Sequence, residues 1–415
     1  MIPSLAPSDV RPLYGERSFA DVPGLIRHAL GANRSPTRPP LLTDVAGHRF
    51  DQVIVILADA FGWQFFERFA GHHPALQHFV RHGMVEQTTS QFPSTTAAHV
   101  TTLSTGQVVG EHGVFEWQYY EPQVDAIIMP LLFSFAGDHE PGTLQAAGIH
   151  PQRLYPTRTL FQELQRDGVA CYAFLPGALT AAPFSQVMTQ GAQLVGYKTL
   201  PEALVNLRFL VERQTAPACH YLYFPEIDSI CHDYGPDSEQ VQAEVDAFLT
   251  LLERTLLAPA NPSFRNTLLL VTADHGQTTV SPDTVIYLNL QPDFERLRPL
   301  LRTTRPGAIL TPGGSARDLF LYVKDEHVEE AEAVLQGMLA GRADVVRAAE
   351  MVEQGLFGGP PSAVFLSRLS NLVVLPHAHE TVWWYEKDRF EQGFRGHHGG
   401  LSADEMQTPL LAMTY

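Results

Sequence analysis

Val53-Ile-Val-Ile-Leu-Ala58, followed directly by Asp59, is a continuous apolar run rich in β-branched residues. Such a run is typical of a parallel strand that is buried on both faces of a sheet. A second apolar run, Thr267-Leu-Leu-Leu-Val-Thr272, precedes Ala273-Asp274-His275-Gly276, and helical patterns over residues 160–168 and 238–257 lie between the two. The alternation predicts an α/β fold with a mostly parallel central sheet and helices on both faces.

The chain is expected to contain three parts, with approximate boundaries. Residues 1–50 are rich in proline and arginine and are predicted to wrap over the body of the protein. Residues 51–286 and 387–415 should form the main α/β domain, which holds every candidate catalytic residue. Residues 287–386 carry no chemical motif and are predicted to form a small inserted α+β subdomain. Residues 107–156 lack a clear period and are expected to be irregular.

Composition excludes several classes of partner. The 415 residues are 45% hydrophobic, enough for a large core, and the formal charge is −17 from 28 Lys+Arg against 45 Asp+Glu. An acidic surface argues against nucleic-acid and anionic-membrane binding, so an anionic substrate would need a local positive charge such as metal ions. The sequence shows no secretory signal pattern, membrane-spanning run or disulfide framework, and a cytoplasmic location is expected. The oligomeric state stays open.

Phe92-Pro-Ser-Thr-Thr-Ala-Ala-His-Val-Thr-Thr-Leu-Ser-Thr-Gly106 predicts a turn into a short helix. Ser94 or Thr95 could cap the start of this helix, and Gly106 could end it. Free N–H groups at a helix start favour an anion, so a phosphate could bind beside Thr96. Threonines at helix starts are more often caps than nucleophiles, and the stretch alone leaves both roles open.

Aspartate and histidine residues recur at predicted strand ends or in the turns that follow them, where α/β proteins bind ligands. Each has a simpler explanation: a helix cap for Asp59, a surface hydrogen bond for the i,i+4 pair Asp228 and His232, and a plain turn for Arg395-Gly-His-His398-Gly-Gly400. Asp274-His275 is the only candidate that such an explanation does not fit, because buried charged groups are almost always paired or metal-bound. Together the candidates are Asp59, Asp228, His232, Asp274, His275 and His398, with a hydroxyl from Thr96.

Oxygen and imidazole ligands without thiolates suit a hydrolytic Zn²⁺ site, and Mn²⁺ is also compatible. Six protein ligands are too many for one catalytic zinc ion, which keeps an open position. The set therefore predicts two divalent ions with three ligands each.

The order of these motifs resembles the alkaline phosphatase superfamily, and within it the nucleotide pyrophosphatase/phosphodiesterase branch. The resemblance runs from about residue 52 to the end of the chain. It rests on five motifs: Asp59-Ala-Phe-Gly62, Phe92-Pro-Ser-Thr-Thr96 through Thr105-Gly106, Asp228-Ser-Ile-Cys-His232-Asp-Tyr-Gly-Pro236, Asp274-His275-Gly276 and Gly396-His-His398-Gly399.

The resemblance implies a metal-dependent phosphoric ester hydrolase that acts on a small phosphorylated substrate, with a nucleotide as one option. Thr96 would be the nucleophile and would form a phosphothreonine intermediate on a two-zinc site. One ion would be held by Asp228, His232 and His398, and the other by Asp59, Asp274, His275 and the Thr96 hydroxyl.

The chain departs from the branch at one position, and the identity of one metal ligand is open. Members that cleave nucleotide diesters usually have an asparagine shortly after the His-Gly that follows the nucleophile helix, but here His112-Gly113 precedes Val-Phe-Glu-Trp117. The choice between His397 and His398 as ligand depends on the glycines that follow. A phosphomonoesterase or phosphonate hydrolase of the same superfamily remains an alternative, and so does a metal-stabilised binding protein without turnover.

Overall fold

The computed structural model describes residues 8–32, 41–45, 47–257 and 264–415. Of the predicted N-terminal segment 1–50, residues 1–7, 33–40 and 46 lie outside this part. The strands are β1 Gln52–Ala58, β2 Met84–Thr89, β3 Tyr119–Glu121, β4 Ala126–Met129, β5 Ser134–Phe135, β6 Ala170–Pro176, β7 Gln193–Tyr197, β8 Ala218–Phe224, β9 Thr267–Thr272, β10 Thr278–Thr279, β11 Ile286–Tyr287, β12 Gly313–Ser315, β13 Asp318–Leu321, β14 Ala343–Arg347, β15 Leu372–Pro376, β16 Val382–Trp383, β17 Gly396–His397 and β18 Gln407–Thr414.

The α-helices are α1 Val22–Ala29, α2 Trp63–Ala70, α3 Pro74–His82, α4 Thr96–Thr105, α5 Val109–His112, α6 Thr143–Ala146, α7 Leu160–Arg166, α8 Pro183–Met188, α9 Leu200–Arg213, α10 Glu226–Tyr234, α11 Glu239–Leu252, α12 Phe294–Leu297, α13 Val328–Met338, α14 Ala348–Glu353, α15 Ala363–Arg368 and α16 Ala403–Met406. None of the helices in the described ranges is both long and apolar enough to cross a membrane.

Seven strands form the central sheet, in the order β2-β18-β9-β1-β8-β6-β7. From β9 to β7 all neighbours are parallel, and β18 alone runs antiparallel to its two partners, β2 and β9. Parallel strands end at one edge of a sheet, so β1, β8 and β9 bring the residues that follow them to one place. The predicted mostly parallel α/β sheet is confirmed.

Helices cover both faces of this sheet. Along β1, Ile54 and Ile56 pack into a hydrophobic cluster with α2, α3, α9 and α11. Val53 and Val55 point to the other face and pack into a cluster with α1 and α7. The continuous apolar run of β1 is thus explained by burial on both sides. The N-terminal segment contributes through α1.

A second, antiparallel sheet of four strands, in the order β12-β13-β15-β14, lies within the range 287–386. Its hydrophobic cluster also includes Tyr120, Ile127 and Met129, from the strands β3 and β4. The expectation that residues 107–156 are irregular is wrong in part, because β3, β4 and β5 form an antiparallel sheet of three strands there. Strands of two to four residues are too short to show a period in sequence.

A buried ion pair joins the second sheet to α16, the helix that directly precedes β18 of the central sheet. Arg317, in the turn between β12 and β13, donates from Nε and Nη2 to the two carboxylate oxygens of Glu405 in α16, at 3.0 and 2.9 Å. Its remaining terminal nitrogen donates to the carbonyl oxygens of His377 and Glu380. All three nitrogens of this buried guanidinium therefore find acceptors, and the backbone N–H of Arg317 donates to Ser315 Oγ at 3.2 Å.

Candidate metal centre and active site

The stretch around Thr96 forms the predicted turn and helix. Thr96 is the first residue of α4, Thr95 occupies the N-cap position, and the helix ends at Gly106 with φ 71°. The predicted side-chain cap is wrong, however. Thr95 Oγ1 donates to the Phe115 carbonyl at 3.0 Å, and Ser94 Oγ donates to the Gly400 carbonyl at 2.8 Å. Both hydroxyls therefore tie the start of α4 to other segments rather than to its own N–H groups.

Asp59 and Asp274 follow β1 and β9, which are neighbours in the central sheet. Both carboxyls are buried. His275 Nε2 lies 3.5 Å from Asp59 Oδ1 and 3.5 Å from Asp274 Oδ2. The Thr96 hydroxyl oxygen is 3.2 Å from His275 Nε2 and 3.4 Å from Asp59 Oδ2. Four of the seven selected side chains thus meet at the N-terminal end of α4.

The other three selected side chains lie beside this group. Asp228 and His232 are one turn apart in α10, with Asp228 Oδ2 3.4 Å from His232 Nε2. His398 reaches the same carboxylate from the loop after β17, with its Nε2 3.6 Å from Asp228 Oδ1. The rings of His275 and His398 stack with centroids 3.7 Å apart, so the two groups are contiguous.

Among the residues that the structure describes, two sets of ligand atoms are close enough to share an ion. In each set, one atom from every residue lies within 4.8 Å of the others: Asp59, Asp274 and His275 in one, Asp228, His275 and His398 in the other. His275 therefore faces both positions, whereas the family resemblance implies that it belongs to one. His232 adjoins Asp228 at the second position.

The imidazoles are oriented by backbone carbonyls. Nδ1 of His232, His275 and His398 lies 2.9, 3.1 and 2.9 Å from the carbonyl oxygens of Gly396, Gly276 and Ser94. A proton on Nδ1 satisfies these carbonyls and leaves Nε2 as a free lone pair, which is the usual arrangement of a metal-bound histidine.

His397 lies in a different environment from His398. Its Nδ1 accepts the backbone N–H of His398 at 2.9 Å, and its backbone pairs with Thr278 in β10. Its Nε2 is not part of either set of ligand atoms found in the described chain. Between the two neighbours, the geometry favours His398.

Charge at the site supports divalent cations. Burial, together with the nearby charges of Asp274 and Asp228, raises the pKa of Asp59 well above its usual range. Burial also raises the pKa of Asp274 to about 7. Within the described ranges, Asp274 Oδ2 has no hydrogen-bond partner. A buried carboxyl oxygen that contacts neither water nor a hydrogen-bond donor is energetically unfavourable unless a cation binds it. The donor set therefore fits metal ions of the Zn²⁺ or Mn²⁺ type.

Three supporting residues were not selected from the sequence. Tyr223 Oη donates to Asp59 Oδ2, Gln277 Nε2 donates to Asp228 Oδ1 at 2.6 Å, and Ser94 Oγ accepts the Gly399 N–H at 3.1 Å. Gln277 directly follows Asp274-His275-Gly276, and this position could have drawn attention to it. Tyr223 has no such signal, because it is one of many apolar or aromatic residues in β8.

A cavity of about 650 Å³ opens in front of Thr96. Its lining includes five of the selected residues, Asp59, Thr96, Asp228, His232 and His398, together with apolar side chains such as Trp117, Leu131, Trp383 and Phe394. Of the described residues that line it, Arg389 is the only lysine or arginine. Glu116 also lines the cavity, at the place in the chain where the resemblance led us to look for an asparagine.

Comparison with known proteins agrees with this geometry. Residues 53–401 match the family model described as type I phosphodiesterase/nucleotide pyrophosphatase. Among solved structures, murine ectonucleotide pyrophosphatase/phosphodiesterase 5 shares 21% identity over 87% of each chain, with a TM-score of 0.65. Phosphonoacetate hydrolase from Sinorhizobium meliloti 1021 shares 18% identity over 86% of this chain and 89% of its own, with a TM-score of 0.61.

At these identities the solved structures establish a common fold, and the family match spans most of the chain. The fold is therefore that of the alkaline phosphatase superfamily. The family is metal-dependent, and its members hydrolyse phosphoric ester bonds. The chain belongs to the type I phosphodiesterase/nucleotide pyrophosphatase family, and it is a hydrolase that acts on such bonds.

Proposed function

We propose that the protein is a phosphodiesterase or nucleotide pyrophosphatase that uses Thr96 as its nucleophile. The observation that carries the proposal is the position of the Thr96 hydroxyl, at the N-terminus of α4 and within 3.2–3.5 Å of His275 and Asp59. A hydroxyl needs a neighbouring base or cation to become a nucleophile, and this one adjoins the densest group of ligand atoms described above.

Thr96 Oγ attacks phosphorus, the bond to the leaving oxygen breaks, and a phosphothreonine results. Water then cleaves the Oγ–P bond and releases the phosphoryl group, so the hydroxyl is regenerated. The helix start directs backbone N–H groups at the phosphoryl oxygens, which become more negative as the attack proceeds.

Two divalent ions, with zinc as the proposed metal, would be held by the selected side chains. One would bind Asp228, His232 and His398, and the other Asp59, Asp274, His275 and Thr96. Such ions stabilise the deprotonated hydroxyl and the charge on the phosphoryl group when bound. They would also offset the three carboxylates, which otherwise repel an anionic substrate.

The preferred substrate is a small diester or pyrophosphate, with a nucleotide as the proposed class. A monoester dianion needs additional cationic partners, and among the described lining residues Arg389 alone offers one. The apolar and aromatic side chains in the lining suit a nucleoside or an aromatic leaving group. In line with this, murine ectonucleotide pyrophosphatase/phosphodiesterase 5 has been solved in an inactive form in complex with AMP.

Phosphonate or monoester hydrolysis is the second candidate. The solved structure of phosphonoacetate hydrolase, in complex with phosphonoformate, has the same fold. The set of metal ligands does not distinguish a phosphonate from a diester, because both present the same phosphoryl oxygens to the ions.

A panel of substrates tests the proposal. The metal-loaded protein would be assayed with bis-p-nitrophenyl phosphate, a p-nitrophenyl ester of a nucleoside monophosphate, p-nitrophenyl phosphate and phosphonoacetate, with Zn²⁺ or Mn²⁺ added. We expect the two diesters to have the highest kcat/KM. Higher values for the monoester or for phosphonoacetate would replace the proposed substrate class with the second candidate.

A further inference from the structure

Two buried carboxyl groups meet at the edge of the cavity, outside the set of proposed ligands. Glu116 follows α5, and Asp318 is the first residue of β13 in the second sheet. Both side chains are fully buried and lie close to each other. Glu116 lines the same cavity as Thr96. The two are also linked along the chain, because Thr95 Oγ1 donates a hydrogen bond to the carbonyl of Phe115, the residue before Glu116. Glu116 therefore borders the space in which a substrate of Thr96 would lie.

The donors around the pair do not satisfy it. One oxygen of Glu116, Oε2, accepts the Trp117 N–H, and Asp318 Oδ1 accepts the N–H and the hydroxyl of Ser315, at 3.1 and 2.6 Å. Glu116 Oε1 and Asp318 Oδ2 find no donor within the part of the chain that is described. Two ionised carboxylates in contact and away from water are strongly unfavourable, so the pair carries at least one proton.

The charges around the pair do not alter this conclusion. Arg317 adjoins Asp318 in the chain, but its guanidinium is bound by Glu405. Asp318 has its pKa raised well above the usual range by burial and by the Glu116 charge. Burial raises the pKa of Glu116 to about 8. The Glu116 carboxyl is thus an acid rather than a carboxylate around neutral pH.

We propose that Glu116 is a substrate-contacting residue, whose protonated carboxyl donates a hydrogen bond to a non-bridging oxygen of the phosphoryl group attacked by Thr96. This inference rests on the function proposed above. A carboxylic acid supplies the donor that a phosphoryl oxygen requires, whereas a carboxylate at the same position would repel it. Burial disfavours ionisation of Glu116, and burial together with the Glu116 charge disfavours ionisation of Asp318.

The test compares Glu116→Gln with Glu116→Ala, using bis-p-nitrophenyl phosphate and the metal-loaded protein. Glutamine keeps the shape and a permanent donor, so Glu116→Gln should retain most of kcat/KM near neutral pH. It should also keep its activity at alkaline pH, where the wild type loses the donor. Removal of the donor in Glu116→Ala should lower kcat/KM by about 10²-fold. Glu111→Gln, an exposed carboxylate five residues earlier, is the matched control and should behave as wild type.

Two results would overturn the inference. The first is a Glu116→Ala protein as active as Glu111→Gln, and the second is a Glu116→Gln protein as impaired as Glu116→Ala near neutral pH. Melting temperature and metal content of each variant separate a lost contact from lost folding, and equal values are expected for the glutamine variant and the wild type.

Binding of inorganic phosphate distinguishes failure of this inference from failure of the proposed function. If no diester is hydrolysed by the wild type, the proposed function fails, but calorimetry with phosphate still reports on the contact. We expect Glu116→Ala to bind phosphate more weakly than Glu116→Gln and the wild type. Equal phosphate affinities in all three proteins would reject a role for Glu116 in holding the phosphoryl group.

Discussion

At the residue scale, the hydroxyl of Thr96 is expected to be indispensable. Thr96→Ala should lower the rate by several orders of magnitude, because nucleophile and metal contact are lost together. Thr96→Ser keeps the hydroxyl and should retain substantial activity. Mass spectrometry of an acid-quenched reaction should find the phosphoryl group on Thr96. A phosphoryl group on Ser94 or Thr95 would assign the nucleophile to a neighbour.

Metal binding should release protons at neutral pH. Asp274, with its pKa at about 7, and Asp59, with its pKa raised well above the usual range, carry protons in the metal-free protein that an incoming cation must displace. Affinity for Zn²⁺ should therefore rise with pH through the neutral range. Calorimetry in buffers of different ionisation enthalpy measures the protons released. The Asp274→Asn protein should release fewer protons than the wild type when it binds Zn²⁺. An unchanged number of released protons would mean that they come from groups other than Asp274.

Selection of single residues from the sequence succeeded where a motif marks a strand end. Thr96 and the six aspartates and histidines lie together in the structure, while their roles as nucleophile and ligands remain a prediction. Ser94 was taken for a cap because the sequence shows only its neighbours, and its partner Gly400 is 306 residues away. In the sequence, Glu116 stands out only because it lies where the family usually has an asparagine. Its proximity to Asp318, like the contact of Ser94 with Gly400, arises from the tertiary fold.

At the scale of elements, the turns after β1 and β9 are packed too closely for any side chain at Gly276. A Cβ there would lie 2.1 Å from the Asp404 carbonyl oxygen and 3.1 Å from the Cα of Gly62. Gly276→Ala should push the turn outward and displace His275, which lowers metal affinity and destabilises the fold by about 1–3 kcal/mol.

Gly71→Ala is the control for this prediction, because a Cβ at Gly71 meets nothing within 4 Å and its φ is −70°. Its metal affinity should equal that of the wild type. Metal titration and denaturant unfolding of both variants provide the comparison. Normal zinc affinity in Gly276→Ala would mean that the turn can relax without moving His275.

Element type was predictable wherever burial imposes a pattern. β1 and β9 have the apolar runs of strands covered on both faces, and their parallel pairing follows from the alternation with helices. The sheet of β3, β4 and β5 was missed because such short strands are defined by pairing between segments, which a local period does not reveal. The same limit hid β12, whose two glycines give no strand signal.

At the scale of the whole molecule, the Arg317–Glu405 pair should couple the second sheet to the central sheet through α16 and β18. Glu405→Gln leaves a buried guanidinium without its counter-charge and should lower the free energy of unfolding by about 3–5 kcal/mol. Urea unfolding followed by tryptophan fluorescence and by circular dichroism measures it. The exposed pair of Glu295 and Arg298 supplies the control, since Glu295→Gln should leave stability nearly unchanged. Equal effects of the two substitutions would contradict this coupling.

The position of β18 has a consequence for synthesis on the ribosome. β18 lies between β2 and β9 and, among the described strands of the central sheet, it is the one that pairs with β2, although 317 residues separate Thr89 from Gln407. A nascent chain that has emerged only to residue 390 exposes the edge of β9 and also lacks His398. An open edge of this kind is prone to pair with other chains. Protection of β9 by a chaperone, and the onset of metal-dependent activity, should therefore depend on the arrival of β18.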